Sequence, residues 1–281
     1  MSKIVTICLR TISHVDTIAA QTAGEASDNF KLKAEESITA NIHALRVGYR
    51  HLDSARVYGS ESSCGIAVHR SGLSREDVFV TSKVYRGGYA ETKEAIEMGL
   101  QESGLGYFDL YLIHSPYGGP EARKGSWRAM VEAKREGKIR SLGVSNYGLH
   151  HLEETEAYIA ELEAEFGQGN GGEISVGQWE LHPWLTRPKI TEWCRERDIV
   201  IAAYCPLIRG QRFHEPILQP LVRKYNRSAA QILVRWSLQK VSLIFCTCDF
   251  PVLTHRYLGI CTAAEKCDPI KNSVKCGCLR L

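Results

Sequence analysis

Residues 49–61, YRHLDSARVYGSE, decide how the rest of the chain is read. Asp53 and Tyr58 stand five residues apart, with His51, Arg50 and Arg56 beside them. A strand end facing water would account for the charges alone. Two later segments repeat the design: DVFVTSK (77–83) closes on Lys83, and FDLYLIHS (108–115) reaches His114. Each is a short run rich in β-branched and aromatic residues that stops on a polar side chain, as a buried strand does where it leaves a sheet.

Outward from these segments, helical and strand-like patterns alternate. Apolar residues at helical spacing occupy 34–48, 62–72, 91–104, 126–138, 149–166, 189–198 and 228–240. Strand patterns fall at 50–55, 77–83, 108–115, 139–145, 173–180 and 199–206. The unit recurs roughly every thirty residues, the length of a βαβ unit. A ring of eight strands then needs one before, KIVTICL (3–9), and one after, VSLIFC (241–246). An open doubly wound sheet would favour a Gly-x-Gly-x-x-Gly turn after an early strand, and none is present. The expectation is one α/β domain over 1–240, a TIM (β/α)8 barrel irregular at its first strand and last βα unit. An atypical tail, 241–281, follows. GQGNGG (167–172) reads as a surface turn.

Length and charge exclude several classes. The 281 residues suffice to bury the core of one large domain. A net charge of +3 with no basic block argues against a nucleic-acid partner. No apolar run approaches the ~20 residues of a membrane helix. The opening MSKIVTICLR is broken by Arg10, too early for a secretory signal. A cytoplasmic monomer without a membrane partner is expected. Cys8, Cys64, Cys194 and Cys205 are scattered, as small buried hydrophobes are. Cys246, Cys248, Cys261, Cys267, Cys276 and Cys278 crowd the tail, but their Cys-x-Cys pairs lack zinc-ligand spacing and a paired His. No metal site is read.

In a barrel of this kind chemistry gathers at the C-terminal strand ends. Read in order, those ends carry Asp53, Lys83, His114, Ser145–Asn146, Gln178 and Tyr204, with Tyr58 in the loop after Asp53. Singly, each has an ordinary explanation: a helix cap, a solvated strand terminus, a core histidine, a packing ring. Polar groups at six consecutive strand ends are harder to explain by packing.

The segments GYRHLDSARVYGSE, VFVTSKV, LYLIHSP, GVSNYG, GQWELHPW and AAYCPL together resemble the aldo-keto reductases over about residues 36–240. The resemblance implies NAD(P)H-dependent reduction of a small-molecule aldehyde or ketone, with Asp53, Tyr58, Lys83 and His114 as a catalytic tetrad. Hydride delivery builds negative charge on the carbonyl oxygen, so an acid must stand there. A phenol, with an ordinary pKa of about 10, is weak for this task unless a nearby ammonium favours its ionised form. Asp53 would hold Lys83 charged and oriented, and His114 would hydrogen-bond the substrate oxygen or share in the proton relay. By the same matching, Ser145, Asn146 and Gln178 would meet the nicotinamide carboxamide and Tyr204 its ring. Cys205 and Leu207 would complete the cofactor site. The cofactor is expected to be NADPH, with NADH as the alternative. Tyr85 and Ser115 stand where the family often has Trp, which implies a roomier, less aromatic substrate pocket. Gly177 replaces a usual Asn and leaves Gln178 less supported.

Two departures stand against this pattern. The family's Gly-x-Gly-Thr stretch in the first strand is missing, and the pattern stops at VRWSLQK (234–240), before the residues that grip the NADPH 2′-phosphate. Lys240-Val241-Ser242 can be encoded by a common splice-donor pattern, so the tail is read as translated intron or a wrong frame. If the chain is taken as written, poor barrel closure and weak NADPH affinity are expected. Two rival functions remain: a catalytically impaired dinucleotide-binding barrel acting as a regulatory module, and a hydrolase using Asp53 and Glu180 as paired carboxylates.

Overall fold

The computed structural model describes residues 6–10, 26–85, 87–241 and 243–247. Its strands are β1 (Thr6–Arg10), β2 (His51–Asp53), β3 (Phe79–Val84), β4 (Phe108–Ile113), β5 (Ile139–Ser145), β6 (Val176–Glu180), β7 (Val200–Tyr204) and β8 (Leu243–Thr247). They pair in sequence order and in parallel, and β8 pairs back onto β1 to close the ring. The helices are α1 (Ala26–Arg46), α2 (Glu61–Ser71), α3 (Tyr89–Ser103), α4 (Gly119–Arg135), α5 (Leu149–Phe166), α6 (Pro188–Glu196), α7 (Gln219–Tyr225) and α8 (Ala229–Lys240). This is the expected TIM barrel.

Strand alternation sorts the core into two layers. Leu110 and Leu112 of β4, Val176 of β6 and Ala202 of β7 meet inside the ring as a small apolar plug. Their neighbours on the same strands, among them Tyr111, Ile113, Trp179, Ile201 and Ala203, join Leu45, Val68, Ile96, Trp127, Met130 and Trp193 of the helices in the larger outer core. The polar residues at the strand ends stand above the inner plug.

The irregularity expected at the first strand is visible in the register. β2 has three residues and meets β1 at two positions, Leu9 with Leu52 and Arg10 with Asp53. β1 meets β8 along five, from Thr6 with Leu243 to Arg10 with Thr247. The expected poor closure is corrected here: Leu243–Thr247, drawn from the segment read as tail, carries β-branched and aromatic residues suited to a strand and joins β7 to β1. The six tail cysteines beyond β7 fall outside the described residues except for Cys246 in β8.

β5 and α5 occupy the expected spans, 139–145 and 149–166. α4 begins at Gly119 rather than 126, because Pro120 fits the first helical turn, where its missing N–H costs nothing. α7, a short helix between β7 and α8, was not anticipated.

Candidate active site

The chain leaves β2 at Asp53 and reverses through a three-residue 3-10 turn, Arg56–Tyr58. Gly59, at φ 61°, ends that turn with its N–H donating to the Arg56 carbonyl at 3.1 Å. Tyr58 is thereby folded back toward the strand ends. Its hydroxyl lies 3.2 Å from Nε2 of His114, just past β4, and the two rings meet edge to face at 5.4 Å.

Lys83, on β3, is wholly buried, as is Asp53. Its Nζ donates to Asp53 Oδ2 and to the Ser54 carbonyl, both at 2.7 Å, and stands 5.1 Å from the centre of the Tyr58 ring. Asp53 Oδ1 accepts from Gln178 Nε2 at 3.3 Å, joining β2 to β6 across the ring. A buried ion pair is costly to desolvate and holds only when its remaining polar atoms are met, as the Ser54 carbonyl and Gln178 do here. The four predicted tetrad residues are therefore one cluster. His51, one strand turn below Asp53, is buried against the Thr81 hydroxyl at 2.8 Å. Burial lowers its pKa from 6.5 to about 4; the Asp53 charge opposes this and the Lys83 charge reinforces it.

The other side of the strand ends is an open cleft of about 420 Å3, lined by His114, Asn146, Gln178, Glu180, Tyr204, Cys205, Ile208, Arg209 and Gln211. Asn146, at φ 62°, turns the chain sharply after Ser145, a conformation Asn tolerates better than most residues. Its Nδ2 donates to the His114 carbonyl at 2.9 Å and to Ser145 Oγ at 3.1 Å, while its Oδ1 accepts from the Tyr204 hydroxyl at 2.8 Å. Cys205, Ile208 and Arg209 also have positive φ, at 50°, 52° and 50°. For β-branched Ile208 in particular this is strained backbone, of a kind that clusters at ligand sites.

Of the predicted residues, Tyr85 sits at the mouth, edge to face with His114 at 5.6 Å and with Tyr117 at 5.8 Å. Ser115 is buried beside His114. The Leu207 side chain packs on the outer core. Glu180, Ile208, Arg209 and Gln211 also line the cleft and were not anticipated there; a left-handed loop after β7 brings the last three to it. Gly177 has a local explanation: the buried Trp179 ring folds over it, so a Cβ would sit 2.2 Å from two ring carbons. The indole is fixed by donating to the Tyr147 carbonyl at 2.8 Å. An Asn has no room there. Asp53 is committed to Lys83 and Gln178, which leaves it poorly suited to the hydrolase role. Among the described residues no group of His, Cys, Asp and Glu is arranged to hold a metal ion. None of the described helices is long and apolar enough to cross a membrane.

A parallel (β/α)8 barrel with a buried Lys–Asp pair beside a Tyr–His contact at its strand ends defines a class of carbonyl-reducing oxidoreductases, and the chain belongs to the aldo/keto reductase family, whose model matches residues 22–252. That match begins and ends outside the span legible by eye. An uncharacterized oxidoreductase of Schizosaccharomyces pombe is 43% identical over 216 residues, covering 75% of this chain and 72% of the relative. The glyoxal reductase of Bacillus subtilis is 39% identical over 211 residues, covering 74% and 70%. The crystal structure of an aldo/keto reductase from Brucella melitensis superposes with a TM-score of 0.68 at 29% identity, covering 86% of this chain and 82% of that one.

Proposed function

We propose that this chain reduces an aldehyde or ketone to the alcohol with NADPH, Tyr58 donating the proton. The observation that carries the reading is the buried Lys83 ammonium, tied to Asp53 at 2.7 Å and standing 5.1 Å from the Tyr58 ring, while the Tyr58 hydroxyl meets His114 at 3.2 Å. As Tyr58 gives up its proton, negative charge grows on its oxygen. The neighbouring ammonium stabilises that charge in a site where little water screens it. His114 holds the hydroxyl on the cleft side, where a carbonyl oxygen would arrive.

The cleft suits a nicotinamide dinucleotide. Asn146 and Gln178 bring amides to its wall, Tyr204 an aromatic ring, and exposed Arg209 a cation for an anionic ligand. Ser145, Asn146 and Gln178 would hold the carboxamide, with Tyr204 against the ring and Cys205 in the loop beside it. The bound dinucleotide supplies the hydride. A relative named glyoxal reductase suggests small dicarbonyls among the first substrates to try. The same reading takes the protein as a cytoplasmic monomer, which sedimentation and fractionation check.

The decisive experiment follows NADPH absorbance with a panel of aldehydes, glyoxal included, for the wild type and Tyr58→Phe. Turnover in the wild type, reduced about 10²–10⁴-fold in the variant with NADPH fluorescence quenching retained, is expected. Quenching without turnover in the wild type would instead mark an impaired dinucleotide binder. The intron or frame-shift origin of 241–281 also stays a proposal. The family match continuing to residue 252 weighs against a break after Lys240. Transcripts that read uninterrupted through codon 240 would remove it.

A further inference from the structure

A three-residue 3-10 turn is too short to fix its own orientation, yet a proton donor tolerates little misplacement. Outside the barrel, behind Tyr58, lies a buried polar bridge that the chemistry above does not use. Glu61, the first residue of α2, is 2% exposed. Its Oε1 accepts from the hydroxyl of Ser82 at 2.5 Å, and Ser82 is the neighbour of Lys83 on β3. Its Oε2 accepts from Arg56 Nη1 at 2.9 Å, and Arg56 opens the turn that ends in Tyr58. Arg56 also grips Glu102 of α3 with two hydrogen bonds, at 2.5 and 2.8 Å. The base of the loop is closed by Ser54 and Ser60, Oγ to Oγ at 2.7 Å.

We propose that Glu61 is a positioning residue that ties the Tyr58 turn to the Lys83 strand and so sets how strongly the ammonium acts on the phenol. The inference rests on the reading of Tyr58 as proton donor. Each carboxylate oxygen holds one of the two elements, so one side chain spans the joint between them. The carboxylate is confined: a Cβ on Gly99 of α3 would lie 2.7 Å from Oε1. The groups facing it are Arg56 from the turn, Glu102 from α3, Ser82 from β3 and Tyr111 from β4; Lys83, Asp53 and His114 face Tyr58. Burial raises the Glu61 pKa, while the Ser82 and Arg56 hydrogen bonds pull the other way.

The test is Glu61→Gln in the full chain, with kcat, the pH dependence of kcat/KM, NADPH affinity by fluorescence quenching, and Tm. The amide keeps an acceptor for Ser82 but loses the ionic hold on Arg56. Expected are a fall in kcat of about tenfold, NADPH affinity within twofold of wild type, and the basic limb of the profile moved up by about half a pH unit or more, because a phenol held farther from the ammonium is a weaker acid. A lower Tm with the limb in place would mean a structural role only and overturn the proposal, as would an unchanged kcat. Should the variant not fold, Ser82→Ala removes the other end of the bridge; a smaller upward move of the same limb is expected, and its absence refutes the idea. Tyr58→Phe separates the layers: if it stays active, the reading of Tyr58 fails, whereas an inactive Tyr58→Phe beside a wild-type-like Glu61→Gln sinks this inference alone.

Discussion

The two halves of the barrel mouth are built on opposite principles. On the β2–β4 side the ionisable groups are dry: Asp53 and Lys83 are fully buried and His51 nearly so. On the β6–β7 side the wall is half-open and amide-rich, and the following loop places Cys205, Ile208 and Arg209 in left-handed backbone. One side keeps charges where water cannot weaken them; the other accepts strain to leave a groove free. Proton transfer asks for the first arrangement and a removable ligand for the second.

The contrast breaks most visibly at Lys83. Lys83→Met leaves Asp53 buried without its cation, which is expected to cost about 3–5 kcal/mol in urea unfolding. It should also lower carbonyl reduction by roughly 10³-fold, because no cation then favours the phenolate. NADPH quenching, which reads the open side, should survive in whatever folds.

A smaller effect sharpens the dry side. His51 has its pKa held down at about 4 against an ordinary 6.5. Between those values the unfolded chain takes up a proton that the folded one refuses, so stability falls as pH drops from 6.5 to 4 and levels off below. The loss is on the order of 3 kcal/mol when complete. His51→Gln, neutral throughout and still able to bond Thr81, should flatten the pH dependence of urea midpoints across that window.

The smallest effect belongs to the open side. Arg209→Asn removes an exposed cation and puts a residue at φ 50° that tolerates it. Unfolding should change by less than about 1 kcal/mol. NADPH affinity should weaken by roughly threefold to tenfold, with a shallower salt dependence, since an exposed charge acts through screened attraction.

The dry side was legible in the sequence and the open side only in part, Asn146, Gln178, Tyr204 and Cys205 being placed and the loop beyond them not, for a physical reason. Strand ends are spaced by the βαβ repeat, so Asp53, Lys83, His114 and Gln178 could be placed by counting. Tyr58, which lies off the strand, needed more: its short distance from Asp53 and the resemblance of the whole segment to a family motif. The residues after β7 are placed by backbone dihedrals that composition does not reveal, and Ile-Arg-Gly carries no local signal for a left-handed path. Hence Arg209 and Gln211 were not anticipated at the cleft, and Leu207, assigned to it, packs its side chain on the outer core. Gly177 shows the same limit: only the Trp179 ring, two residues on and on the same strand face, explains why nothing larger stands there.

The ring closure has a consequence for synthesis. β1 touches its sequence neighbour β2 at two positions and finds its five-position partner only in β8. Until the ribosome has delivered Leu243–Thr247, the opening strand has little to hold it and one edge of the nascent sheet stays bare, the condition under which chaperones capture chains and aggregates begin.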